Sequence, residues 1–281
     1  MDIFFLSVIT YASLSLLILL IFFTIIFVIA YVINIWKILD IAWGLGFVIV
    51  VLTGWGIFWD FYPTQHLWVV GLVSVWGLRL SIHLGMRGVK KEDIRYEQFK
   101  DSRYKILQSY INVFLSQAFF IWLICLPFYF YMPIESQIIK LPINTYILIF
   151  GIIISIIGLY WEWVSDFQLK YLKKPGELVK QGLWKYSRHP NYFGEILFWW
   201  GIWIATRVAV FSNNSIPSNL MIFVSLISIL SPLTITCIIN YLTGPILENQ
   251  MKKYFNWEEY KSTTPYIIPY KLFKSNATSN K

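Results

Sequence analysis

Charge is what this sequence has least of. Only 14% of its 281 residues are Asp, Glu, Lys or Arg, against 57% hydrophobic. A soluble domain carries about a quarter charged residues. So much apolar sequence cannot be buried in one soluble core, so an ordinary soluble globule is excluded and a polytopic membrane protein remains. Cysteine is also scarce. Cys125 and Cys237 both lie in apolar runs, which leaves no disulfide framework and no thiolate metal spacing. The three histidines, His66, His83 and His189, sit in separate segments without zinc-ligand spacing. No GxxxxGKS/T loop, no GxGxxG after a strand and no GxSxG elbow occurs. The opening MDIFF has an acid and no positive n-region, and it reads as the start of a membrane helix rather than a cleaved signal peptide.

What is present is apolar length. Runs long enough to span a bilayer recur seven times, near 4–34, 40–59, 66–85, 110–131, 143–165, 192–210 and 219–243. The expected fold is therefore all-α: a polytopic bundle of about seven transmembrane helices in a single integral-membrane domain covering 1–281. Within it, 1–109 would complete a substrate pocket, 110–270 would form the core, and 271–281 would be a polar tail. The first run is long for one span. Gly44, Gly46, Gly54 and Gly56 in the second run permit close helix packing. Pro127, Pro232 and Pro245 should kink or end helices.

The net charge of +8 is a topology signal. Nineteen of the 23 Lys and Arg residues fall in 86–108, 166–190 and the segment after 244, while the opposite loops hold Lys140 and Arg207. With seven spans the three basic segments share one side. The positive-inside rule then places the N-terminus outside and the C-terminus in the cytosol. Such placement argues for contact with membrane lipids and against nucleic acid.

Ionisable residues inside or at the ends of apolar spans are costly and need a partner or a cavity. Asp40 opens the second span. Arg79 and His83 lie four apart in the third, and Glu162 and Asp166 four apart at the end of the fifth. Lys170 and Lys173 extend that face if the helix continues. Glu195 sits just inside the sixth span and Glu248 follows the seventh. All lie near the expected cytosolic ends, which predicts a polar pocket open to the cytosol with an apolar interior. Each residue taken alone has a plainer reading, such as an Arg79 that snorkels to the headgroups. The stretch GLWKYSRHPNYFGE (182–195) adds local mechanics. Pro190 pre-organises a first helical turn behind His189. Arg188 beside the free N–H groups of that turn would favour a phosphate or carboxylate.

These residues also carry a resemblance. SDFQLKYLKKPGE (165–177) followed by GLWKYSRHPNYFGE is similar to the C-terminal core of steroid 5-alpha-reductases. DIAWGLGF (40–47), WGLRLSIHL (76–84) and TTPYIIP ending at Pro269 resemble a bacterial membrane branch of that superfamily along the whole chain. The resemblance implies a seven-helix reductase of a bacterial inner membrane, with NADPH in its cytosolic half. Hydride would go to the β-carbon of a carbonyl-conjugated C=C bond in a lipid or steroid-like substrate, and a protein acid would polarise the carbonyl.

By the same resemblance, Asp166 contacts the cofactor, and Glu162 stands where an Asn contact is usual. Lys173 replaces a phosphate-binding Arg. Asn191 and Glu195 lie near the nicotinamide and ribose, and Arg79 reaches the phosphates. Lys170, Arg188, His189, Tyr192 and Glu248 complete the cofactor candidates. Asp40, Tyr192 and Glu195 are the catalytic candidates, with His83 an alternative proton donor. Trp76 stands where steroid reductases have a Tyr. A related RHPxYxG core in isoprenylcysteine and phospholipid methyltransferases keeps S-adenosylmethionine as an alternative cofactor. A non-catalytic lipid-binding protein is a third reading.

Overall fold

A computed structural model of the chain describes residues 2–60, 67–87, 103–133, 142–212 and 218–270. The polar tail, His66, Lys140 and most of the basic 86–108 loop lie outside these residues. Among the described residues the secondary structure is entirely helical. Among those residues six helices are long and apolar enough to cross a membrane, and they make this an integral membrane protein.

The helix α1, Asp2–Ile33, has 32 residues, about 48 Å at 1.5 Å per residue against an apolar core of about 30 Å. It ends where Asn34 takes a left-handed φ of 57°. There the Ile35 N–H bonds back to Ala30 O at 3.1 Å, the six-to-one closure of a Schellman cap. The helices α2, Ile38–Ile57, and α3, Leu67–Met86, follow. The next rod, α4, is built from Arg103–Ser109, a π-helical Tyr110–Leu115 and Ser116–Ile124. A turn at Cys125 separates it from α5, Leu126–Tyr131, with Pro127 in the first turn. The expected 110–131 span is thus broken where proline removes a backbone donor.

The helix α6, Pro142–Leu172, runs seven residues past the expected end, which puts Asp166 and Lys170 on it. A 3₁₀ turn at Gly182–Lys185 leads to α7, Pro190–Ser212, with Pro190 at its start as expected. The run at 192–210 is therefore helical, though α7 is not among the six apolar spans found in the described residues. Arg207 lies within that run. It is no loop residue: it lies 7% exposed within the helix and donates from Nη1 to Ser228 Oγ at 3.1 Å.

After α8, Ser218–Ser228, the last long rod, α9, is built from Leu230–Cys237, a π-helical Ile238–Thr243 and Gly244–Met251. Pro232 and Pro245 each fall in the first turn after an irregularity, where a missing N–H costs least. Glu248 is accordingly on this helix and not beyond it. A short α10, Trp257–Thr263, closes the described chain.

The chain divides into two compact units, 1–148 with 206–231, and 149–205 with 232–281. In the first, α2 and α3 meet backbone to backbone. A Cβ on Gly44 would strike Gly77 O, and one on Gly77 would strike Gly44 O. Ser81 Oγ donates to Ile41 O at 2.8 Å beside that crossing. Gly46 and Gly54 give way to Ile121 and Tyr11, while Gly56 faces open space, so three of the four α2 glycines serve packing. Trp76 is fully buried and packs edge-on against Phe47 at 5.2 Å.

Candidate functional site

In the second unit, α6 and α7 share a seam of glycines. Gly151 and Gly158 on α6, and Gly194 and Gly201 on α7, are each seven residues apart. A Cβ on Gly151 would run into the backbone of Gly201 and Ala205. One on Gly158 would meet Gly194 and Phe198, and one on Gly194 would lie 2.5 Å from Glu162 N. Ser155 Oγ donates to Phe198 O at 3.1 Å across the same seam. In a membrane such small-residue contact is what lets helix backbones touch. The seven-residue period brings the next polar positions of both helices together.

Those positions are the candidate site. Glu162 and Asp166 are each 3% exposed. Asn191, in the first turn of α7, donates from Nδ2 to Asp166 Oδ1 at 3.4 Å. Its Oδ1 is buried without a hydrogen-bond partner, which leaves an acceptor for an incoming donor. Glu195 is half-buried one turn further along α7. The loop between the helices is tied to the same face. Leu183 N–H donates to Gln168 Oε1 at 2.8 Å, and Trp184 Nε1–H to Ser165 O at 3.0 Å. Gly182, at φ 61°, packs directly against the Gln168 amide, so the turn needs a residue that is both left-handed and without a side chain.

A second cluster braces the start of α7. Arg188 is 8% exposed. Its Nε donates to Glu248 Oε1 at 2.6 Å, and its Nη1 to Lys261 O at 3.1 Å and Thr264 O at 2.6 Å. Its guanidinium also lies over the rings of Trp257 and Tyr266. The backbone N–H groups of Arg188 and His189 donate to Pro265 O and Tyr266 O. Tyr260 donates its hydroxyl to Trp184 O at 2.6 Å, and burial raises its pKa above the usual value of 10.0, so it stays a donor. Burial also raises Tyr266, and the Glu248 charge adds to it.

His189 is 1% exposed. It stacks on Tyr192 at 5.4 Å and 16° and meets the Tyr266 ring edge-on. Its Nε2 stands 3.4 Å from Glu248 Oε1, a close contact without hydrogen-bond geometry. Burial lowers its pKa below 6.5, and Glu248 opposes part of that shift.

The structure thus brings Glu162, Asp166 and Asn191 to one seam. It gathers Arg188, His189, Tyr192 and Glu248 into the brace that holds it. Lys170 and Lys173 are exposed, with Lys170 Nζ 5.5 Å from the Tyr171 ring centroid. Asp40, Arg79 and His83 belong to the first unit, each half-buried. Sequence reasoning misses the α6/α7 seam, Gln168 and the carbonyls of Lys261 and Thr264. The paired Gly-x₆-Gly spacing was the available signal for the seam. Backbone acceptors leave no signal in sequence.

Carboxylates suit the hydroxyl and amide donors of a nucleoside, and Asn191 offers both a donor and an acceptor. Among the described residues no group of three His, Cys, Asp or Glu is arranged to hold a metal ion.

Fold and site together define an all-helical integral membrane protein with a buried acid–amide seam at one end of two closely packed helices. The chain belongs to the family described as "Protein of unknown function (DUF1295)", whose model matches residues 26–264. It is also similar to 3-oxo-5-alpha-steroid 4-dehydrogenase 2 of Rattus norvegicus, with 38% identity over 61 residues. That match covers 20% of this chain and 24% of the rat protein, so the chain spans about a quarter of the length of the curated relative it matches. No solved structure matches.

Proposed function

We propose that the protein is a membrane-embedded, NADPH-dependent reductase of a carbonyl-conjugated C=C bond in a lipid or steroid-like substrate. The observation that carries the proposal is the hydrogen bond between buried Asp166 and half-buried Asn191, with Glu162 beside it on a glycine seam. The partial likeness to a steroid dehydrogenase supports it. Asp166, Asn191, Glu162 and Glu195 would hold the nicotinamide–ribose half. The unpaired Asn191 Oδ1 would accept from an amide or hydroxyl there. The bound cofactor would supply hydride to the β-carbon.

The chain's own part is to orient and to manage protons. The Arg188–Glu248 brace keeps the first turn of α7 in place, so that Asn191 and Glu195 keep their register against α6. A protonated group is needed to stabilise the enolate oxygen as hydride arrives, and the α-carbon then takes a proton. Tyr192 and Glu195 are the candidates within this unit. Asp40 stays a candidate by its spacing in the sequence. Arg79 is proposed for the phosphates on the same basis. The pocket is proposed to face the cytosol of a bacterial inner membrane.

A second reading has one observation in its favour. The site is rich in carboxylates, and Arg188, its buried cation, is already engaged by Glu248. That balance suits the cationic sulfonium of S-adenosylmethionine. Extraction of nucleotide from freshly purified protein separates the two. Co-purified NADP(H) is expected. S-adenosylmethionine in its place, with no retained NADPH on addition, would make the protein a methyltransferase.

A further inference from the structure

The face of α6 turned away from the glycine seam has a different character. Gly151, Ser155, Gly158, Glu162, Ser165 and Asp166 fall within an arc of about 100° at 3.6 residues per turn. Tyr160, Trp163, Val164 and Phe167 occupy the opposite side. They line a shallow open groove of about 350 Å³, and the three rings are 68%, 54% and 57% exposed. The stripe continues to Lys170 and Tyr171, with the ammonium over the Tyr171 ring at 5.5 Å. The helix ends at Leu172, and Lys173 and Lys174 follow at once, both exposed. Among the described residues no carboxylate is paired with any of these three lysines.

Tyr160 and Lys170 are ten residues apart, about 15 Å along the helix, and one leaflet of hydrocarbon is about that thick. The stripe from Tyr160 to Lys170 is therefore about one leaflet long, and it ends at three lysines with no paired carboxylate among the described residues. We propose that this face is a seat for one anionic phospholipid. Its acyl chain lies in the Tyr160–Phe167 groove, and its phosphodiester is held by Lys170, Lys173 and Lys174. The aromatic rings make the seat apolar along its length, while the lysines choose the sign of the headgroup.

The test is native mass spectrometry of the delipidated full-length protein, titrated with phosphatidylglycerol or phosphatidylcholine of the same acyl chains. The wild-type chain is expected to retain phosphatidylglycerol at least about fivefold better, since each lysine near a charged headgroup is worth about that factor. K170Q/K173Q/K174Q should lose the preference while keeping a wild-type circular dichroism spectrum. Phe167→Ala should weaken retention of both lipids. Equal retention by the wild-type protein would overturn the proposal, as would a preference that survives the triple variant. Displacement of phosphatidylglycerol by millimolar inorganic phosphate would reduce the seat to a simple anion site. A triple variant that loses NADPH affinity but keeps its lipid preference would assign the lysines to the cofactor instead.

Discussion

Arg188 shows how one side chain can hold a helix start. Its five donors form a rigid fork, and here they reach a carboxylate on α9 and two carbonyls beside α10. Removing it strands Glu248 and two carbonyls in a largely buried place. Arg188→Ala is expected to cost about 3 kcal/mol in unfolding free energy, measured by denaturant titration in micelles. Arg188→Lys should recover only part of that, because an ammonium cannot serve all three acceptors. From sequence, Arg188 beside a helix N-terminus reads as an anion site. The structure shows its anion to be Glu248, sixty residues away in the chain, and no local pattern could have named it.

His189 has a pH signature of its own. Burial lowers its pKa below 6.5 in the folded state, so on acidification the unfolded chain takes up the proton first. Stability should be level above about pH 6.5 in this respect and should fall as the pH drops below it toward the folded value. Glu248 offsets part of the shift and Arg188 adds to it, and those are the charged groups facing the ring. A His189→Gln variant should lose that acid limb relative to wild type in unfolding titrations at pH 7.0, 6.0 and 5.5.

At the scale of the helix, the α6/α7 seam decides where the site can be. Its glycines leave no room for a Cβ, and packed backbones do not yield to one. Gly194→Ala should therefore cost about 2 kcal/mol or more and should weaken nucleotide binding as well, because Glu162 is what the new methyl group would displace. Gly56→Ala is the control: its surroundings are open, and alanine favours the helix by about 1 kcal/mol. A seam variant as stable as the Gly56 control would mean that the two helices do not touch there.

The helices themselves were largely legible, because apolar length and proline position are local properties. Pro190 starts α7, and Pro127, Pro232 and Pro245 each mark an irregularity. Where α6 stops was not legible. The helix runs on through Asp166 to Leu172 as an amphipathic extension, with buried Ser165 and Asp166 on one side and exposed Phe167 and Tyr171 on the other. Hydropathy ends before the helix does. The same limit placed Glu248 beyond its helix. The Asp166–Asn191 contact depends on the register between two helices, which a single sequence does not encode locally.

For the whole molecule, the distribution of lysine and arginine carries the topology. Among the described residues six apolar spans are present, and α7, at 23 residues, is about 34 Å long, enough to cross a hydrocarbon core of about 30 Å. If α7 crosses, the basic segments at 86–108, 166–190 and after 244 share the cytosolic side. With Cys125 and Cys237 replaced by Ser, Lys180→Cys should resist an impermeant thiol reagent in intact cells and react after permeabilisation. Asp60→Cys should react from outside. The reverse pattern would invert the chain in the membrane.

If the α6/α7 seam is the nicotinamide-nucleotide site proposed above, affinity titration of the purified protein with NADPH will show it. Wild-type protein should bind, and Asp166→Ala and Asn191→Ala should each weaken binding by at least about tenfold, the worth of one buried polar contact of about 1.4 kcal/mol. NADPH affinity unchanged in both variants, or binding of S-adenosylmethionine with none of NADPH, would rule out a nicotinamide site at this seam.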